Sequence, residues 1–198
     1  MPRRVIGMDI GAETIKAVEL SVGQGGIATA RRVIIEHHKE PMEALRHLLK
    51  RWEVEHADAA AVTGRLSRPV NLPRIPTKQA QATGFRHLFP GVEPATIVSI
   101  GSHGFSVLEL RASHMEVFRE NSRCSQGTGN FLRQLVERFD LSIDEASRLC
   151  EKVEQPAPLS GRCPVILKTD MTHLANKGEP KERILAGLYD AVCENVQV

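Results

Sequence analysis

The opening of the chain sets short apolar runs between glycine-bearing turns, in an order that sharply narrows the choice of fold. Residues 5–10 form an apolar run of strand length, residues 11–14 make a turn, and residues 15–20 alternate as a second strand. A turn at residues 23–26 leads into a third strand over 27–35. Three sequential strands joined by such turns predict an antiparallel meander. Met42, Leu45, Leu48, Leu49 and Trp52 then recur at helical spacing, and Pro41 stands where a helix can begin. Residues 59–63 read as a short buried strand. The order is β-β-β-α-β.

That order is one half of a ribonuclease-H-like fold, and the pattern restarts further on. Residues 64–94 are irregular and carry Pro69, Pro73, Pro76, Pro90 and Pro94, with a helix expected over 79–89. An apolar run at 96–100, a glycine turn at 101–104, and strands at 105–110 and 115–119 repeat the opening hairpin, which suggests internal duplication. The expected class is α/β, with a first half over 1–92 and the start of a second half over 93–198.

The last third reads as helical. Phe131, Leu132, Leu135, Val136 and Phe139 share one face of a helix over 129–139. Ser142 and Glu145 form a capping-box pattern opening a helix that runs to Val153, before Pro156 and Pro158. Further helices are expected over 166–177, stopped by Gly178, and after Pro180, with Ile184, Leu185, Leu188, Val192 and Cys193 apolar.

Composition removes several classes of function. Lys and Arg total 26 against 24 Asp and Glu, a net charge of +2, so nothing favours coating of nucleic acid. Aromatics are only 4%, too few for base-stacking platforms. No apolar run approaches the roughly 20 residues of a membrane-spanning helix, and the N-terminal run is too short for a signal peptide. A cytoplasmic protein is expected. Cys124, Cys150, Cys163 and Cys193 include no C-x-x-C pair, so neither a disulfide framework nor a single-chain zinc ribbon is supported.

Three local patterns carry chemistry. In the first, Asp9 ends a strand, Gly11, Ala12, Glu13 and Thr14 form the turn, and Lys16 follows. Such a tip can present N–H groups to phosphates, with Asp9 holding Mg²⁺ through water and Lys16 as compensating charge. An ordinary turn with solvated Asp and Lys is the alternative. In the second, Cys124 precedes Gly127, Gly129 and an amphipathic helix, where the helix dipole favours a thiolate; a buried structural cysteine is the alternative. In the third, Cys163 precedes Pro164 and another helical run. A [4Fe–4S] cluster wants four thiolates, and two loop cysteines per chain meet that need only across a two-fold axis. Cys150 and Cys193 are expected in the core.

Together these sites resemble the BadF/BadG/BcrA/BcrD ATPase family, the activators of 2-hydroxyacyl-CoA dehydratases and benzoyl-CoA reductases. Asp9 to Lys16 resembles the family's first phosphate loop, D-x-G-[S/A]-x-x-x-K. Thr63-Gly64-Arg65 resembles its T-G-x-G-R turn. Residues 121–132 resemble N-x-K-C-A-A-G-T-G-R-F-L, and Ser160-Gly161-Arg162-Cys163 resembles S-S-x-C. Ile184-Leu185-Ala186-Gly187-Leu188 resembles the I-I-A-G-I helix. The resemblance implies an actin/Hsp70/sugar-kinase fold of two ribonuclease-H-like halves that binds ATP/ADP. It also implies Asp9 as a catalytic carboxylate, and a homodimer sharing one [4Fe–4S] cluster on Cys124 and Cys163. The partner would be a dehydratase or benzoyl-CoA reductase-type enzyme.

The sequence departs from the family pattern in two places. Where the second phosphate loop reads D-I-G-G-Q-D, this chain has Ser99-Ile100-Gly101-Ser102-His103-Gly104. Gly101, Ser102 and His103 keep the loop's place, without either acid. The family pattern also continues past residue 198 with a Gly-Gly adenosine-binding strand and a closing helix, so either a truncated chain, the front end of a larger polypeptide, or a divergent member that has lost nucleotide turnover is expected. Three functions fit these features: an activator ATPase, a non-hydrolysing iron–sulfur module on the same fold, or a phosphotransferase without a cluster.

Overall fold

The computed structural model describes residues 1–112, 115–121, 128–159 and 163–197, in two compact units, Met1–Glu93 and Pro94–Val198. The first unit contains β1 (Arg3–Ile10), β2 (Thr14–Gly23), β3 (Gly26–Glu36), α1 (Pro41–Arg51), β4 (Ala59–Thr63) and α2 (Thr77–Leu88). Its sheet has the order β3-β2-β1-β4, with β1 antiparallel to β2 and parallel to β4.

Alternation decides which face is covered. Ile6, Met8 and Ile10 of β1, Ile15 and Ala17 of β2, and Val62 of β4 pack with Leu45 and Leu48 of α1 and with Trp52. The intervening residues of β1, β2 and β4, among them Gly7, Asp9, Lys16, Val18, Ala61 and Thr63, lie on the opposite face, where they line an open concavity of about 780 Å³.

Polar groups tie the end of α1 to the sheet. Glu19 accepts from Arg4 at 2.9 Å and from Arg31 at 2.8 Å. Both arginines also donate to the Trp52 carbonyl, and the Arg31 guanidinium lies 4.5 Å over the Trp52 ring. The hydrogen bond from Arg4, then that from Arg31 and the charge of both, hold the Glu19 carboxyl below its ordinary value of 4.5. A carboxyl depressed in the folded state adds stability above its unfolded pKa and loses it as pH falls through the folded pKa. The wild type is therefore expected to weaken below about pH 4.5, with Glu19→Gln less stable at pH 7 but flatter in acid. Urea midpoints between pH 7 and pH 3 check this.

The second unit opens with β5 (Ala95–Gly101), β6 (Gly104–Leu110) and β7 (Glu116–Asn121), an antiparallel sheet in the order β5-β6-β7. Among the described residues the helices α3 (Gly129–Val136), α4 (Ile143–Cys150), α5 (Pro164–Asn176) and α6 (Lys181–Gln197) follow. Phe131, Leu135 and Val136 of α3, Leu167 and Met171 of α5, and Ile184, Leu185 and Leu188 of α6 form its core. The capping box of α4 is present: Glu145 N–H donates to Ser142 Oγ, and Ser142 N–H to Glu145 Oε2.

Three expectations are corrected. The α3 helix stops at Val136 and tightens into a 3₁₀ turn over Glu137–Phe139. The α4 helix ends at Cys150, not Val153, because the chain reverses through a Val153 N–H to Cys150 carbonyl bond before Pro156. Cys193 is exposed: one residue past buried Val192, it is rotated about 100° off the buried stripe. Cys150 is half-buried. No helix among the described residues is long and apolar enough to cross a membrane.

Candidate functional site

In the first unit the candidate groups form a row across three strands. Asp9 of β1 pairs in register with Lys16 of β2 on one side and Thr63 of β4 on the other. Period-two alternation puts all three on the uncovered face of the sheet. Lys16 Nζ lies 3.2 Å from Asp9 Oδ2, and both side chains are partly exposed, at 49% and 40%. Thr63 Oγ1 is 3.5 Å from Thr77 Oγ1 at the start of α2. Neighbouring strands thus offer a carboxylate, an ammonium and a hydroxyl side by side.

Backbone packing locks the Asp9 side of this row. Gly64 has φ +93°, and a Cβ added there would sit 2.2 Å from Asp9 Oδ1 and 2.6 Å from the Ile10 carbonyl. Leu66 N–H donates to that same carbonyl at 2.9 Å. Ser67, itself buried, closes the turn by donating from Oγ to the Gly64 carbonyl at 2.7 Å. The chain after β4 is pressed onto the end of β1.

The tip itself is narrow. Gly11 N–H donates to the Thr14 carbonyl at 2.9 Å, leaving Ala12 and Glu13 at the apex. Glu13 faces Lys39 Nζ at 3.7 Å. Buried His37 meets Gly11 from the β3–α1 connection, a contact that sequence reasoning missed. No local motif marks a histidine 26 residues away as a neighbour of the tip; only the β2–β3 register brings it there.

The corresponding hairpin of the second unit is chemically different. Gly101 pairs with Gly104, leaving Ser102 and His103 at its tip. Ser99 pairs with Ser106, and Ser106 is buried. Aligning Gly101 with Gly11 puts Ser99 where the first hairpin has Asp9, and Ser106 where it has Lys16. The Ser102 carbonyl accepts from Asn130 N–H of α3 at 3.2 Å, while Thr128 Oγ1 accepts from Phe131 N–H.

Of the two cysteines assigned to metal, Cys124 lies outside the described residues. Cys163 is exposed at the N-cap of α5, directly before Pro164, with no side-chain capping bond. Cys150 does not fit that role. Burial, then the Glu182 charge, pushes its thiol up, and its Sγ–H donates to the Glu182 carbonyl at 3.6 Å. No group of three or more His, Cys, Asp or Glu among the described residues is placed to hold a metal ion. Cys163, exposed ahead of α5, is accessible as a thiol ligand.

Two units, each opening on an antiparallel meander, fit the expected α/β fold of the actin/Hsp70/sugar-kinase type. Solved structures that share this fold include component A of (R)-2-hydroxyglutaryl-CoA dehydratase from Acidaminococcus fermentans, and the activator of 2-hydroxyisocaproyl-CoA dehydratase from Clostridium difficile with bound ADPNP. Their TM-scores are 0.83 and 0.82, at 20% and 22% identity, over 98% of this chain and 76% and 74% of theirs. The chain belongs to the BadF/BadG/BcrA/BcrD ATPase family, whose model matches residues 6–197. It is 26% identical to one of the subunits of benzoyl-CoA reductase from Thauera aromatica over 192 residues, covering 92% of this chain and 67% of that protein.

Proposed function

We propose that this chain is the nucleotide-dependent activator of a 2-hydroxyacyl-CoA dehydratase or benzoyl-CoA reductase-type enzyme. It would work as a cytoplasmic homodimer whose two protomers share one [4Fe–4S] cluster. The observation that carries this reading is the Lys16–Asp9–Thr63 row, set beside a tight glycine-bearing tip and backed by Gly64. The names of the relatives supply the partner class.

Each residue has a distinct part in the proposal. Backbone amides of Ala12, Glu13 and Thr14 receive the phosphates of ATP or ADP, Gly11 closes the turn that presents them, and Lys16 neutralises the phosphate charge. Asp9 holds Mg²⁺ through water and orients the attacking water. Gly101, Ser102 and His103 serve as the second phosphate contact. Cys124 and Cys163 of each protomer hold the cluster, and α3 and α5 begin just after these two cysteines in sequence. A bound cluster supplies a low-potential electron for the partner enzyme. Nucleotide state sets the helices that begin at the cysteine segments, a hinge coupled to a redox site.

A second reading has its own support. Ser99 opposite Ser106 gives the second hairpin neither the carboxylate nor the ammonium of the first. A site built this way would bind ATP without turning it over. Calorimetric titration with Mg·ATP, run beside a phosphate-release assay, separates the two. The activator reading expects binding and turnover, and Lys16→Ala is expected to weaken binding about tenfold. Binding without turnover supports the second reading; no binding by the wild type contradicts both.

A further inference from the structure

We propose that His37 is a positioning residue that fixes the Gly11–Ala12 peptide in the orientation needed to bind phosphate. The inference rests on the reading of residues 11–14 as the phosphate tip. His37 is 3% exposed, and its Nε2 lies 3.2 Å from the Gly11 carbonyl oxygen. A carbonyl can only accept, so Nε2 carries a proton and donates it to Gly11. Nδ1 is buried with no hydrogen-bond partner among the described residues. The contact to Gly11 is therefore the ring's polar anchor.

The backbone around His37 grips the same tip. His37 N–H donates to the Glu13 carbonyl at 3.1 Å, and the His37 carbonyl accepts from Glu40 N–H at 2.7 Å. His38 and Lys39 follow at φ 46° and 71°, a left-handed pair that turns the chain back beneath the tip and brings Lys39 toward Glu13. The segment bonds both the carbonyl that enters the apex, that of Gly11, and the one that leaves it, that of Glu13.

Peptide planarity converts this grip into a function. The C=O and N–H of one trans peptide point in opposite directions. Drawing the Gly11 carbonyl onto His37 therefore aims the Ala12 N–H away from the β3–α1 connection. Without the imidazole donor, the Gly11 N–H bond to Thr14 remains, but the Gly11 carbonyl loses its anchor, and with no Cβ to restrict the Gly11–Ala12 peptide the Ala12 N–H loses its fixed direction. Pre-oriented donors bind an anion more tightly than donors that must be ordered on binding.

The test compares His37→Phe with His37→Gln, whose side-chain amide can reach the place of Nε2 and donate. Two readouts are taken on the full chain: Mg·ATP affinity by calorimetry, and exchange of the Ala12 amide by NMR without nucleotide. His37→Phe is expected to bind about tenfold more weakly and to exchange faster, with His37→Gln close to wild type in both. Wild-type behaviour of the Phe variant, or a Gln variant as impaired as the Phe variant, would overturn the positioning role. If the wild type binds no nucleotide, the phosphate reading fails, and the exchange rates alone decide whether His37 holds the tip. If His37→Phe does not fold, the ring tautomer of the wild type decides: a proton on Nε2 is expected, and one on Nδ1 overturns the proposal.

Discussion

Gly64→Ala is expected to destabilise the chain by about 3–5 kcal/mol, a large share of the stability of a typical domain. Two effects combine. At φ +93° a side chain is strained whatever the space around it. The space is also absent: the new Cβ would lie 2.2 Å from Asp9 Oδ1, 2.6 Å from the Ile10 carbonyl oxygen and 2.7 Å from the Ile10 nitrogen. Two of these three atoms are backbone of a central strand and cannot swing aside. Relief must come from moving the residue 64–67 turn or displacing Asp9, and either disturbs the Lys16–Asp9–Thr63 row. Thermal unfolding should fall by about 10 °C. A fall equivalent to less than about 1 kcal/mol would show that the turn is not pressed onto β1 as described.

Gly187→Ala reverses the usual sign of a helical substitution. Replacing glycine with alanine inside an exposed helix stabilises by about 1 kcal/mol. Gly187 is no such position, because a Cβ there would lie 2.1 Å from the Ala157 carbonyl oxygen. The Ala157 segment is strapped to α6 by its own N–H, which donates to the Arg183 carbonyl, and by Arg183 Nε, which donates to the Gln155 carbonyl. Alanine would push that strap off the helix and open the core around Ile184 and Leu188, at about 2–4 kcal/mol. Gly84 of α2 is the control, since a Cβ there meets nothing within 4 Å. Gly84→Ala is expected to stabilise by about 0.5–1 kcal/mol. Urea unfolding of the two variants should give opposite signs; equal signs would refute the close approach at Gly187.

The elements were legible in the sequence wherever periodicity was strong. The meander of β1–β3 and the helix α1 follow directly from alternation in 5–35 and from the spacing of Leu45, Leu48 and Trp52. The α4 capping box was readable because Ser142 and Glu145 are three residues apart and need nothing distant to interact. What escaped was non-local. The reasons for Gly64 and Gly187 lie in atoms of Asp9 and Ala157, tens of residues away. His37 reaches Gly11 only through strand register. Cys193 sits beside an apolar stripe in sequence yet outside it in space, since a single residue step turns a helix by about 100°. Asp9, Lys16 and Cys163 were singled out from local pattern, but local pattern did not show that Thr63 completes the row with Asp9 and Lys16.

In the proposed homodimer two copies of the chain share one cluster, and iron content measured together with oligomeric mass reads this out. Protein purified and reconstituted without oxygen is expected to be a dimer with about two irons and two acid-labile sulfides per chain. Cys163→Ala is expected to abolish them. A monomer holding a complete cluster, or a chain that takes up no iron after anaerobic reconstitution, would contradict the shared centre.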